Sequence, residues 1–317
     1  MNQGRHDEAR ALLLQTLDEA RTRALLMPEA HCLNSLGVLA ERQGNQVRGL
    51  ELQREALGLV RQVGDRRREA LSLANVGACW LNLGHLTAAG RDLEDALCLL
   101  RQNGDRAVEC ATLCNLSELA LLQGDDARAL ALARSARDTA AAVQARDWEV
   151  NGSLLLGHAE AALGRLAPAA QAYTQAHCVA KEIGAGKHFD ASAGLAGLAL
   201  AQGDVAGALQ LVESLLSQAG ADADEESSKA AETVVLPDAA IGDFDGASDP
   251  SRIELTVHRV LAAAGGPRAA AWLERAHRTT MARADAIVDA ALRQMFLTNI
   301  AVHREIVALW EAQGGHR

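Results

Sequence analysis

The feature that most restricts this chain is a run of glycines at a nearly constant interval. After Gly4 come Gly44, Gly84, Gly124, Gly164 and Gly203, at spacings of 40, 40, 40, 40 and 39 residues. A second series, Gly64, Gly104 and Gly184, lies 20 residues beyond the first, with Gln144 at its vacant place. A third series of small residues stands seven before each turn: Gly37, Gly77, Ser117, Gly157 and Ala196. Self-similarity at such a period belongs to stacked supersecondary units that bury their apolar faces only against one another. A helix that ends and reverses quickly needs a residue tolerant of positive φ, so the first two series mark helix ends. The third lies two helical turns upstream on one face, where a small side chain lets a neighbouring helix come close.

Further small residues keep the same register. Ala9, Gly49, Ala89, Ala129, Ala169 and Ala208 lie five after the first-series turns, and Ala56, Ala96, Ala136 and Ala176 lie twelve after them. Between the marks, apolar residues recur at three- and four-residue spacings, as in Glu29 to Gln43 and Val47 to Val63. Asp65 and Asp105 follow the second series and are placed to cap the next helix. Glu29, Glu69, Glu109 and Glu149 recur in its first turn, where the macrodipole favours an acid. Aromatics make up only 3% and there are five prolines, which suits long, closely packed helices and not a β-sandwich.

The small-residue, glycine-turn, alanine, alanine pattern resembles the tetratricopeptide repeat in its longer, 40-residue variety. Trp80 and Tyr173 stand where that motif keeps aromatics. HEAT and armadillo repeats share the length but do not predict this register of small residues. The resemblance implies an all-α chain, an α-solenoid of antiparallel helix hairpins in a right-handed superhelix, over residues 1–219. Gly4 reads as a mid-repeat turn, so Arg5 to Leu26 is expected to be a second helix without its first. Its Leu12, Leu13, Leu14, Leu17, Leu25 and Leu26 would then lack a neighbour, inviting self-association or an upstream domain.

Residues 220–250 carry nine acids and one base, Lys229, or −8 of the chain's net −10. The remainder is close to neutral, which argues against nucleic acid as a direct ligand. This acidic, Ala/Ser/Gly-rich stretch reads as a solvated, mobile linker with an apolar patch at Thr233 to Leu236. Asp249-Pro250 restarts helix, and residues 251–317 read as a divergent hairpin, 251–264 and 268–287, followed by a terminal helical segment at 294–313. HRVLAAAG, PRAAAWLERAH and FLTNIAVHREI resemble the C-terminal end of large bacterial signalling ATPases. Those join a cyclase or a DNA-binding activator to an ATPase module and a tetratricopeptide region. Ala301 stands where that family commonly has proline. The resemblance implies a regulatory region whose partners include upstream ATPase or effector domains.

No catalytic motif accompanies the repeats. The nearest text to a phosphate-binding loop, Gly184 to His188, lacks both the upstream glycine and the Ser or Thr. Cys110 and Cys114 are one turn apart without a second ligand pair, so no metal or other cofactor is expected. The six cysteines read as small buried hydrophobes of a reducing cytoplasm. The N-terminus has no apolar signal core, and no stretch of about eighteen apolar residues is present to span a membrane.

The expected function is therefore binding without catalysis, of a protein or peptide. In related 40-residue repeats, asparagines two before the small residue hold a ligand's backbone; here those places are Ser35, Asn75, Asn115 and Leu155. An amide both donates to and accepts from an extended peptide. Neighbouring candidates are His31, Asn34, Glu41, Arg42, Asn82, Glu118, Asn151 and His158. Two other functions stay open at this point: a small-molecule effector site of a transcriptional activator, and the C-terminal fragment of a cyclase.

Overall fold

The structure, a computed structural model, describes residues 2–227, 244 and 246–314; the side chains of residues 2–7, 42 and 221–227 lie outside that description. The described residues form fifteen helices and no strand. The first six are α1 (Asn2–Thr22), α2 (Leu26–Arg42), α3 (Gln46–Val63), α4 (Arg66–Asn82), α5 (Leu86–Asn103) and α6 (Arg106–Leu122). Next come α7 (Asp126–Ala142), α8 (Arg146–Ala162), α9 (Leu166–Glu182), α10 (His188–Ala201) and α11 (Val205–Ser227). The last four are α12 (Pro250–Ala263), α13 (Ala269–Asp285), α14 (Ala290–Thr298) and α15 (Ala301–Ala312). This is an all-α solenoid of antiparallel hairpins of the tetratricopeptide type.

The turn glycines behave as their spacing predicts. Gly44, Gly64, Gly84, Gly104, Gly124, Gly164, Gly184 and Gly203 all have φ between 67° and 81°. Gln144 takes the same left-handed conformation at 56°, and so does Ala24, at 51°, forty residues before Gly64. Gly4 is different. It lies inside α1, so the mid-repeat turn expected there does not form. A glycine permits reversal without imposing it, and helix continues through it at a cost of about 1 kcal/mol.

Asp65 and Asp105 cap their helices, accepting from the backbone N–H of Arg68 and Val108. Asn45, His85, Asp125 and Asp204 do the same after first-series glycines. The recurrent glutamates do more than face a helix dipole. Glu29, Glu69 and Glu109 each pair with an arginine eight residues back: Arg21, Arg61 and Arg101, at 2.8, 2.9 and 3.1 Å. Arg66 and Arg106 add a second pair to Glu69 and Glu109 from the first turn of α4 and α6, and Arg146 pairs with Glu149 in the same way on α8.

Small residues of the third series touch a residue sixteen positions on. A Cβ on Gly37 would lie 2.8 Å from Gln53 Nε2, one on Gly77 2.6 Å from Leu93 Cγ, and one on Gly157 2.4 Å from Tyr173 Cε1. The glycines therefore form slots for side chains of the second helix. Leu93, fully buried in its slot, contributes about 1.5–3 kcal/mol by leaving water.

The chain divides into two compact units. Unit 1 is Met1–Thr139 with Met281–Arg304, and unit 2 is Ala140–Thr280 with Glu305–Arg317. The division differs from the expected one at 219 and 251. The boundaries fall inside α7, α13 and α15, and the C-terminal block is shared by both units. In unit 1 the buried Ala284, Ile287 and Phe296 join the core of α3, α4 and α5. Asn299 Nδ2 donates to the carbonyl of Gly84 at 2.9 Å. The stretch 294–313 is broken at Asn299-Ile300 into α14 and α15. The bend arises without proline at Ala301, with the Asn299 side chain bonded to the α4–α5 turn.

The acidic linker also differs at its ends. Helix α11 continues to Ser227, and Phe244 is buried against Phe189 and Trp272 in the core of unit 2. The rest of the expected linker, including Thr233 to Leu236, lies outside the described residues. At the other end of the chain Leu12, Leu14, Leu25 and Leu26 are exposed as expected, but Leu17 is buried and Leu13 packs beside it. Four cysteines are buried; Cys98 and Cys178 are exposed, against expectation, because their positions face outward on α5 and α9. No helix is long and apolar enough to cross a membrane, among the described residues.

Candidate ligand-binding faces

In unit 1 the candidates ride on α2, α4 and α6, the first helices of successive hairpins. Asn75 Nδ2 donates to Asn34 Oδ1 at 2.6 Å, joining α4 to α2. With those two groups engaged, the atoms left to a ligand are the Asn75 carbonyl and the Asn34 amide N–H groups. That set complements the N–H and C=O of a peptide group. Ser35, Asn75 and Asn115 are half-buried, and His31 and Asn82 are exposed. Glu118 is half-buried and already engaged with a neighbouring group.

Two of the expected residues stand apart from this face. Glu41 accepts from Cys79 Sγ at 3.2 Å and bonds the side chain of Gln53, so it serves the hairpin interior. Burial pushes its carboxyl upward, and pushes the Cys79 thiol up strongly. The side chain of Arg42 lies outside the described residues. Gln53, which sequence reasoning passed over, threads the Gly37 slot and donates to the Asn34 backbone carbonyl at 3.2 Å. Its signal was a polar residue at a place that holds Leu93 in the next hairpin.

In unit 2 the candidates Asn151 and His158 lie on α8, with Leu155 between them on the same face. His158 Nδ1 meets the Tyr173 hydroxyl at 2.7 Å, ring edge toward ring face at 5.3 Å. Burial, with Arg252 nearby, pushes the imidazole down to about 3, and Asp249 opposes this weakly. Burial pushes the Tyr173 phenol up, so both groups are neutral at ordinary pH. At the start of α12, Arg252 pairs with Asp249 at 3.2 Å. Asp190 of α10 occupies the place of Asn151 one repeat on, and its carboxylate accepts from the N–H of Ser248 and of Asp249 at 2.8 and 3.0 Å. Further along α10, Ser192 hydroxyl meets His177 Nδ1 at 3.1 Å and donates to the His188 carbonyl. Tyr173 and Asp190 had no motif to reveal them as partners; their roles come from contacts between helices.

Among the described residues no group of three or more His, Cys, Asp or Glu side chains is placed to hold a metal ion.

No family model matches the chain, and no curated protein matches it. Solved structures do. A Rap protein complexed with competence and sporulation factor matches with TM-score 0.59 at 13% identity, over 94% of this chain and 80% of that one. NprR in complex with its cognate peptide NprX matches with TM-score 0.59 at 13% identity, over 95% and 83%. Aspartyl phosphate phosphatase F from Bacillus subtilis matches with TM-score 0.61 at 10% identity, over 96% and 76%. At these identities the likeness is one of fold.

Proposed function

We propose that this chain is a non-catalytic scaffold that binds an extended peptide or protein segment through the first helices of its hairpins. The observation that carries this reading is the Asn34–Asn75 amide pair of unit 1. It spans two successive repeats and leaves one carbonyl and one amide for a peptide group. A solved structure of the same fold, NprR, is in complex with its cognate peptide NprX, which supports the choice of ligand class. We further propose a place in bacterial signal transduction, from the C-terminal motifs, and in the cytoplasm, from free cysteines that are mostly buried. A regulatory role beside an ATPase or effector domain rests on the C-terminal motifs alone, and self-association on the exposed leucines of α1 and α2.

The test is selection of a displayed random heptapeptide library on the purified chain. Selected peptides should lose about tenfold in affinity on Asn75→Ala, the scale of one buried hydrogen bond. Equal binding by the wild type and by Asn34→Ala and Asn75→Ala variants sinks the reading. So does ATP hydrolysis or cyclase turnover by the pure chain that a point substitution abolishes.

A further inference from the structure

Tyr173 reaches its place through two glycines. Its ring lies where a Cβ on Gly157 would come within 2.4 Å and one on Gly194 within 2.7 Å. The ring is buried, and its hydroxyl lies against His158, which is half-buried. A phenylalanine would fill the same slot. What the hydroxyl adds is one hydrogen bond, and that bond decides the state of His158. A buried phenol must place its proton on an acceptor. The partner in reach is Nδ1, and a phenol that donates to it puts the single proton of the neutral imidazole on Nε2.

We propose that His158, locked by Tyr173 in the Nε2–H form, is a binding residue of unit 2 that donates to an uncharged oxygen of a ligand, the backbone carbonyl of an extended peptide. This rests on the peptide-binding reading above. The charges facing His158 come from α12: Arg252, which disfavours a proton on the ring, and Asp249, which favours one and is paired with Arg252. The ring therefore presents a dipole and not a cation. A neutral N–H donor suits an uncharged oxygen such as a peptide carbonyl. Asn151 lies seven residues upstream on the same face of α8, about 10.5 Å along the helix. Three residues of extended chain span about 10 Å. The Asn151 amide and the His158 Nε2–H thus suit backbone groups three residues apart, with Leu155 beneath the side chain between them.

Two measurements test this on the full chain. Nitrogen-15 spectra of the imidazoles should show His158 with its proton on Nε2 and no titration between pH 5 and 8. Tyr173→Phe should release the ring to both tautomers. A proton found on Nδ1 in the wild type overturns the proposal. The second uses heptapeptides selected on the wild type. His158→Leu should cost about tenfold in affinity, while His158→Gln, which keeps an N–H donor, should stay within about threefold. Equal binding by His158→Leu, with a loss on Asn75→Ala, overturns this inference and leaves the peptide reading standing. A library that yields no binding peptide removes both. Melting curves of each variant separate lost binding from lost folding, and the wild-type spectra need no variant.

Discussion

In unit 1 the glycine at position 77 faces Leu93; in unit 2 the glycine at 157 faces Tyr173, at the same separation in sequence. The backbone slot is the same, and the filling sets the chemistry. Leu93 ends in hydrocarbon among Leu81, Ala89, Leu116 and Leu119. Tyr173 ends in a hydroxyl bonded to His158, whose counterparts in earlier repeats are Val38, Ala78 and Glu118. A third filling reverses the sizes: Ser117 replaces the glycine, Ala133 is the small partner, and the serine hydroxyl donates to the Ala129 carbonyl. The repeat keeps one member of the pair small and lets the size and the polar tip of the other vary.

The sharpest way to break this comparison is to give unit 1 the tyrosine of unit 2. Leu93→Tyr would bring a hydroxyl to a place where Ala78 stands for His158 and Asn115 for Gly194. Overpacking costs about 1–3 kcal/mol. A buried hydroxyl without a partner adds about 1–3 kcal/mol. Urea unfolding should show the sum as a lowered midpoint. A loss under about 0.5 kcal/mol, the range of neutral surface changes, would mean that the slot adapts and the second glycine is idle.

The same comparison explains what the sequence could reveal. Turn glycines, caps and small faces depend on residues within one hairpin, so a 40-residue period exposes them. Gln144 could be placed by counting, and Ala24 had the same count behind it. The candidate face was legible as positions, since Asn34, Asn75, Asn115, Asn151 and His158 follow from the register. What they do depends on which side chains meet across helices, within a hairpin or between repeats. Asn75 bonding Asn34, Glu41 turned toward Cys79, and Tyr173 bonding His158 are contacts across helices. The return of Phe296 to the core of α3, α4 and α5 is longer-ranged still, and no periodic pattern encodes it.

A second contrast lies in unit 2 alone, where Asn151 of α8 becomes Asp190 of α10. Burial pushes the Asp190 carboxyl from 3.8 up to about 6, although the N–H groups of Ser248 and Asp249 pull it down. Asp249 adds to the rise and Arg252 opposes it. A folded value above the unfolded one means that the folded chain binds the proton more tightly. The stability this group contributes is then greatest in acid and falls as pH rises toward 6, after which it is level. Relative to Asp190→Asn, the wild type should lose on the order of 2 kcal/mol between pH 4.5 and 7. Urea unfolding of both proteins at the two pH values measures the difference. A difference that grows in favour of the wild type would show that the two N–H bonds outweigh burial.

The smallest effect tests the turns themselves. Gly64, Gly104 and Gly184 hold φ of 78°, 69° and 67°, while Ala24 in unit 1 and Gln144 in unit 2 hold 51° and 56° with a Cβ. Left-handed backbone costs an L-residue about 1–2 kcal/mol. Glycine removes that strain but gives back about 0.4–1 kcal/mol through the greater freedom of its unfolded chain. Ala24→Gly and Gln144→Gly should therefore each stabilise by about 0.5–1 kcal/mol. The reverse change, Gly184→Gln, should cost a similar amount, because nothing lies within 4 Å of the Cβ it would add and the strain is all in φ. Thermal melts of the three variants are enough. Opposite shifts of equal size would show that the period writes the backbone conformation and that glycine only relieves it. If Gln144→Gly lowers the melting temperature, the Gln144 side chain makes a contribution that outweighs its strained φ, and the turns of unit 2 are not interchangeable.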